Sequence, residues 1–203
     1  MNPFGDAVIL CGGKSSRMDS DKAFAKINGR YIIEIIHEKL SACFSNVRLC
    51  ADARERFSPF GLEVIEYRIK GGFGPAVGIY SALSQAASGY IFVTACDMPL
   101  IDIGHIAFMK RALAYHDFKP DALVPMYGEF IEPLYSFYSA GIAAVFEEEM
   151  EKGNYKIHRI LDRCDTLYLD EKYSRLFDEN LSMFTNINYA ADLEMVSWKM
   201  KLK

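Results

Sequence analysis

Short runs of consecutive apolar residues alternate along this chain with longer stretches whose apolar positions recur at helical spacing. Residues 7–11 read as a strand buried on both faces, because an unbroken apolar run leaves no face for water. In the stretch that follows, Ile32, Ile33, Ile35, Ile36, Leu40 and Cys43 fall three and four apart and predict a helix. Residues 46–51 and 62–67 read as the next two strands, residues 74–87 as a helix, and residues 90–97 as a central strand covered on both sides. A helix over 101–116 and a strand over 121–126 continue the series. This βαβαβ alternation predicts an α/β fold: a mostly parallel sheet with helices on both faces, a single three-layer α/β/α domain across residues 1–203.

The second half is less regular. Residues 130–138 read as a strand, but Pro133 lacks an N–H and confines it to an edge or a bulge. Helical patterns cover 140–150 and 155–161, residues 166–169 and 183–188 read as strands, and a last helix begins near Ala190. The run Glu147-Glu148-Glu149 reads as a solvated helix face, and the aromatics after Pro133 as core.

Composition narrows the class of protein. A chain of 203 residues can bury a core without disulfides or metals as staples. Its net charge of −4 gives no general attraction to nucleic acid or to an anionic membrane. The five cysteines are odd in number and form no CxxC pair, which fits a reducing cytoplasm. No apolar run approaches the roughly 20 residues that span a bilayer, and no basic segment precedes one. A cytoplasmic protein with neither nucleic-acid nor membrane partners is expected.

Chemistry gathers first where the opening strand stops, in "CGGKSSRM" (residues 11–18). In an open parallel sheet, ligands bind outside the carboxyl ends of the strands. Gly12 and Gly13 let the backbone approach a phosphate closely, and Lys14, Arg17 and Lys22 add positive charge. Two common nucleotide loops are excluded. A Walker A loop closing on Gly13-Lys14-Ser15 needs glycine at position 8, which is Val8, and a GxGxxG fingerprint starting at Gly12 meets Lys14 where its second glycine belongs. On these residues alone, a phosphate cradle and an ordinary solvated turn remain equally open. Asp97 is a lone carboxylate at the end of an apolar strand, suited either to a metal or to capping the next turn.

The longer frame "LCGGKSSRMDSDKAFAKINGR" resembles the N-terminal signature of nucleotidyltransferases that activate small molecules with NTPs, through Leu10, Gly12, Gly13, Ser15, Arg17, Met18, Asp21 and Lys22. Within that class the chain resembles the molybdenum cofactor guanylyltransferases, the MobA-like branch. Three further segments carry the likeness: Gly74, Pro75, Gly78 and Ile79 in "GGFGPAVGIYSAL", Cys96, Asp97, Met98 and Pro99 in "TACDMPLI", and Asn186, Ile187, Asn188, Asp192 and Leu193 in "TNINYAADL". They run in the family's order from about residue 7 to 194.

The resemblance implies a Rossmann-like nucleotidyltransferase fold and transfer of GMP from GTP to molybdopterin, with release of pyrophosphate and dependence on Mg2+. It implies Lys22, Arg17 and Asp97 as catalytic residues. Leu10, Cys11, Gly12, Gly13, Lys22, Tyr67 and Asp97 would contact the nucleotide, and Gly74, Gly78, Asn186 and Asn188 the acceptor. Asp97 and Asn188 would hold the metal, and transient partners would serve cofactor insertion. Three positions depart from the pattern: Asp19 replaces a glycine, Cys50 an asparagine, and Tyr67 an aspartate expected to contact the nucleotide. They leave open CTP with the same acceptor, a sugar phosphate with another NTP, or a nucleotide-binding module without catalysis.

Overall fold

The computed structural model describes residues 3–12, 22–71, 74–115 and 119–201. Within these the chain forms strands β1 (Asp6–Leu10), β2 (Lys26–Ile27) and β3 (Arg30–Tyr31), helix α1 (Ile32–Ser41), strands β4 (Asn46–Ala51) and β5 (Val64–Glu66), helix α2 (Pro75–Leu83), strand β6 (Tyr90–Ala95) and helix α3 (Ile103–Tyr115). Strands β7 (Ala122–Tyr127), β8 (Phe130–Ile131) and β9 (Tyr135–Ser139) follow, then helices α4 (Ala143–Glu151) and α5 (Ile157–Leu161), strand β10 (Thr166–Leu169), and helices α6 (Glu171–Ser174) and α7 (Ala190–Lys201).

The main sheet runs β10-β7-β9-β6-β1-β4-β5, with β8 paired to β7, while β2 and β3 form a small separate ribbon. Strands β1, β4, β5 and β6 are mutually parallel, as are β7 and β10; β9 lies antiparallel between β6 and β7. Every residue of β1 and β6 is buried. On one face Ala7, Ile9 and Phe92 pack with Ile33 and Ile36 of α1, Met109 of α3 and Val196 of α7. On the other, Val8, Leu10 and Val93 pack with Ile79 of α2, Phe146 of α4 and Ile160 of α5. Helices thus cover both faces, as the sequence predicts.

The buried positions of α1, Ile32, Ile33, Ile35, Ile36 and Leu40, form the stripe that its three-and-four spacing implies. Glu34 fixes its start by accepting a hydrogen bond from the Tyr31 N–H at 3.2 Å. At the opposite end of β1, buried Asp6 accepts from Asn46 Nδ2 at 2.9 Å and from the N–H groups of Ala87 and Ser88 at 2.7 and 2.8 Å. Burial raises its carboxyl pKa, but these hydrogen bonds outweigh burial and hold it below the ordinary value.

Three expectations are corrected. The stretch 130–138 is two strands, and β9 lies in the sheet interior, because Pro133 falls in the turn between β8 and β9. Pro125, which also lacks an N–H, marks where β7 changes partner: Ala122 and Leu123 pair with β9, whereas Met126 and Tyr127 pair with β8. Residues 183–188 are not a strand. They follow a short 3₁₀ turn, Ser182–Phe184, and bury Met183, Phe184 and Ile187 through irregular backbone. Within the acidic run of α4, Glu149 is buried, accepting from Asn154 Nδ2 at 2.7 Å and Arg163 at 2.8 Å.

Candidate active site at the strand ends

From β1 the chain moves through α1 outward to β4 and β5, then crosses back through α2 to β6 on the other side of β1. Connections therefore diverge between β1 and β6, which opens a crevice at their carboxyl ends. The strand ends are locked one residue past their ladders. Cys11 N–H donates to the Cys50 carbonyl at 2.8 Å, and Cys96 N–H to the Leu10 carbonyl at 3.0 Å.

Leu10, Cys11 and Gly12 form the β1 side of this crevice, and Tyr67 lies directly over Gly12. A Cβ on Gly12 would stand 1.7 Å from the Tyr67 hydroxyl oxygen and 2.6 Å from Cζ, so glycine is required for the ring to sit where it does. Gly78 on α2 closes the other side: a Cβ there would meet Leu10 Cδ2 at 3.0 Å and Tyr67 Cε1 at 3.4 Å. Burial pushes the Tyr67 phenol well above its ordinary pKa, helped by the Cys50, Cys11 and Cys96 thiols and the Asp52 carboxylate. The hydroxyl is therefore a neutral donor at physiological pH. Cys50 is fully buried, with its thiol 3.5 Å from the Gly78 carbonyl. Burial, only partly offset by Arg48, pushes that thiol up to about 12, so it is chemically quiet.

Asp97 is half-buried just beyond β6, and its carbonyl accepts the Ile187 N–H at 2.9 Å. That single bond brings the segment 186–188 to the crevice from 90 residues further along the chain. Asn186 is exposed and Asn188 half-buried. Asp192 secures the segment by accepting the Asn188 and Tyr189 N–H groups at 2.7 and 2.8 Å, which also caps α7. Gly74 is exposed, with φ of 75°, and precedes Pro75 at the start of α2.

The crevice thus unites Leu10, Cys11, Gly12, Tyr67 and Gly78 on one side with Asp97 and the 186–188 segment on the other. Gly13 and Arg17 lie outside the described residues, as does the side chain of Lys22, whose backbone opens a short 3₁₀ turn to Phe24. Among the described residues no group of three or more His, Cys, Asp or Glu could enclose a metal ion. One carboxylate beside asparagines at a strand end suits a hard cation that keeps water and substrate phosphates as its other ligands, whereas a site built from soft or numerous protein ligands would not.

Two side chains of interest escaped the sequence pattern. Glu132 is only 7% exposed in the turn before β9; burial, opposed by the Leu134 N–H and reinforced by Asp97, pushes its carboxyl up to about 7. A charged residue interrupting the apolar run 130–138 was its signal. His105 is fully buried on α3, its Nε2 3.0 Å from Ser174 Oγ and its Nδ1 without a partner among the described residues.

A mostly parallel sheet covered on both faces, with a glycine and a carboxylate at the ends of adjacent strands, is the frame of an α/β nucleotide-binding protein. Residues 7–167 match the MobA-like NTP transferase domain. The chain is 35% identical over 193 residues to the molybdenum cofactor guanylyltransferase of Syntrophotalea carbinolica, covering 94% of this chain and 90% of that protein. It is also 35% identical over 199 residues to a probable molybdenum cofactor guanylyltransferase of Peptoclostridium acidaminophilum, covering 96% and 89%. The crystal structure of molybdopterin-guanine dinucleotide biosynthesis protein A from Archaeoglobus fulgidus superposes with a TM-score of 0.83 at 26% identity, covering 98% of this chain and all of that one. The chain belongs to the MobA-like NTP transferase family, whose nucleotidyltransferases generally act with a divalent metal.

Proposed function

We propose that this chain, acting as one MobA-like unit across residues 1–203, transfers GMP from GTP to molybdopterin and releases pyrophosphate. The observation that carries the reading is the meeting of Gly12, Asp97 and the 186–188 segment at one crevice, within a fold whose named relatives are guanylyltransferases. A terminal phosphate oxygen of the acceptor attacks the α-phosphorus of GTP. The bond from that phosphorus to the α,β-bridging oxygen breaks, and its electron pair leaves with pyrophosphate.

The protein's task is to position the reactants and offset their charge. Leu10, Cys11, Gly12 and Gly13 present backbone groups to the nucleoside, and the Tyr67 hydroxyl borders the base as a neutral donor. Lys22 and Arg17 hold the triphosphate. Asp97 and Asn188 are the ligands for Mg2+, which supplies charge neutralisation when bound. Gly74 and Asn186 leave room for the acceptor, whereas buried Gly78 packs against Leu10 and Tyr67 on the nucleotide side. The protein works in the cytoplasm and meets transient partners only for cofactor insertion. No described helix is long and apolar enough to cross a membrane.

Tyr67 and Cys50 favour a second reading, the same chemistry with a different base such as CTP. Incubation with Mg2+, molybdopterin and each NTP in turn, with pyrophosphate measured and the product identified by mass, separates them. Product with GTP alone supports the proposal; product with CTP, or only with a sugar phosphate as acceptor, overturns it. Tight NTP binding without turnover on any acceptor would mark a module without catalysis.

A further inference from the structure

Glu132 lies on the side of Asp97 away from Tyr67. Its turn leads into β9, whose first residue, Tyr135, pairs with Thr94 of β6, three residues before Asp97. Its carboxylate is oriented by the Leu134 N–H, which donates to Oε1 at 3.1 Å. Among the described residues Oε2 accepts no hydrogen bond. It is also not sealed in: among the described residues the enclosed side-chain atoms without partners are Arg48 Nε, Thr94 Oγ1 and His105 Nδ1. A carboxylate nine-tenths buried, fixed through one oxygen and with the other able to meet an incoming group, is built to take donors from a ligand.

An aromatic surface accompanies it. Tyr127, at the end of β7, is half-buried within reach of the Glu132 charge and stacks on Phe184 with ring centroids 5.9 Å apart. Tyr127 is also tilted against Phe130 at 5.9 Å, and an aromatic cluster beside a fixed carboxylate suits a planar heterocycle that has N–H donors on one edge. The sheet sets the distance from the nucleotide end. The Tyr67 hydroxyl lies over Gly12 at the end of β1, and Glu132 precedes β9 with β6 between, so two strand spacings give about 10 Å across the sheet. Asp97, at the end of β6, falls between the two, where a diphosphate joining two planar rings would lie.

On the reading that the acceptor is a pterin, we infer that Glu132 is its recognition residue, accepting the ring N–H and exocyclic amino donors of the 2-amino-4-oxo ring. The guanine of GTP carries the same donor edge, so the test separates the two ligands. Binding of pterin and of lumazine, which has oxygen in place of the amino group, is followed by their fluorescence. Binding of GTP with Mg2+ is followed by calorimetry. The wild-type protein should bind pterin about tenfold tighter than lumazine, the worth of one hydrogen bond. Glu132→Gln should bring that ratio near one and leave GTP binding within twofold.

Equal binding of pterin and lumazine by the wild type overturns the inference, and that comparison needs no variant to fold. Loss of GTP affinity in Glu132→Gln as large as the loss for pterin overturns it too, by moving the residue to the nucleotide. A preference for pterin that survives Glu132→Gln overturns the inference as well. A preference lost in Glu132→Gln, in a wild type that forms no guanine dinucleotide, defeats the proposed reaction and upholds Glu132. Dinucleotide formation without the preference does the reverse.

Discussion

Replacing Gly12 with alanine probes the packing on which the nucleotide side of the crevice depends. The new Cβ would stand 1.7, 2.6 and 2.9 Å from the Oη, Cζ and Cε2 atoms of Tyr67, all closer than non-bonded carbon tolerates. Removing the hydroxyl alone leaves the Cζ contact, so the whole ring must leave its slot between Gly12 and Gly78. Overpacking of this kind costs about 1–3 kcal/mol, and each kcal/mol lowers the melting temperature of a chain this size by roughly 2–4 °C. Urea unfolding of wild type, Gly12→Ala, Tyr67→Ala and the double variant closes a double-mutant cycle. In the Tyr67→Ala background the Gly12 substitution should cost almost nothing, giving a coupling of about 1–3 kcal/mol. Additivity within about 0.5 kcal/mol would refute the contact. Calorimetry on the same four proteins asks whether the double variant, relieved of the clash, still binds GTP more weakly, as a close backbone approach at Gly12 requires.

His105 should give the fold an acid-sensitive step. Burial, only partly opposed by the Asp102 charge, pushes its imidazole down to about 4, against about 6.5 when unfolded. The unfolded state therefore binds the proton first: this stability is complete above about pH 6.5 and is lost as pH falls toward 4, by about 3 kcal/mol. Urea unfolding across that range should show the decline, and His105→Phe should flatten it; an equal slope in the variant would assign the loss elsewhere. Asp192→Ala removes the carboxylate that holds the Asn188 and Tyr189 N–H groups, at a cost of about 1 kcal/mol for the lost cap. Its nucleotidyl transfer should fall further than that stability loss explains, because the 186–188 segment loosens beside Asp97, whereas unchanged turnover would show the segment idle.

The parallel half of the fold was plain in the chain because its inner strands, β1 and β6, are covered on both faces and so are almost wholly apolar. Residues 46–51 form β4 without adjustment, and β6 stops two residues short of the predicted Asp97 only because the backbone turns there, Met98 N–H donating to the Ala95 carbonyl at 3.2 Å. The same apolar signal misled at 183–188, where Met183, Phe184 and Ile187 anchor irregular backbone. It also hid the break at Pro133, since both halves of that stretch are strand-like and only tertiary pairing places β9 inside the sheet. Periodicity located the strand ends where a ligand would sit, while the resemblance to nucleotidyltransferases singled out Asp97 and Asn188 among the polar residues there. Tyr67 was noticed as a departure, but its fit against two glycines separated by 66 positions is a property of the folded crevice alone. Glu132 was overlooked for the opposite reason, as a single acid within a stretch read for its aromatics.

In the proposed reaction Asp97 lies at the centre of the chemistry, between the nucleotide and acceptor sides of the crevice. The most direct test of that role is GMP transfer from GTP to molybdopterin by Asp97→Ala, measured with Mg2+ alongside the wild type and with circular dichroism to establish the fold. The variant should be a folded protein whose magnesium-dependent transfer falls by about a hundredfold or more, on the order of the loss when one electrostatic contact to the transition state is removed. Turnover near the wild-type rate in that variant would contradict the role.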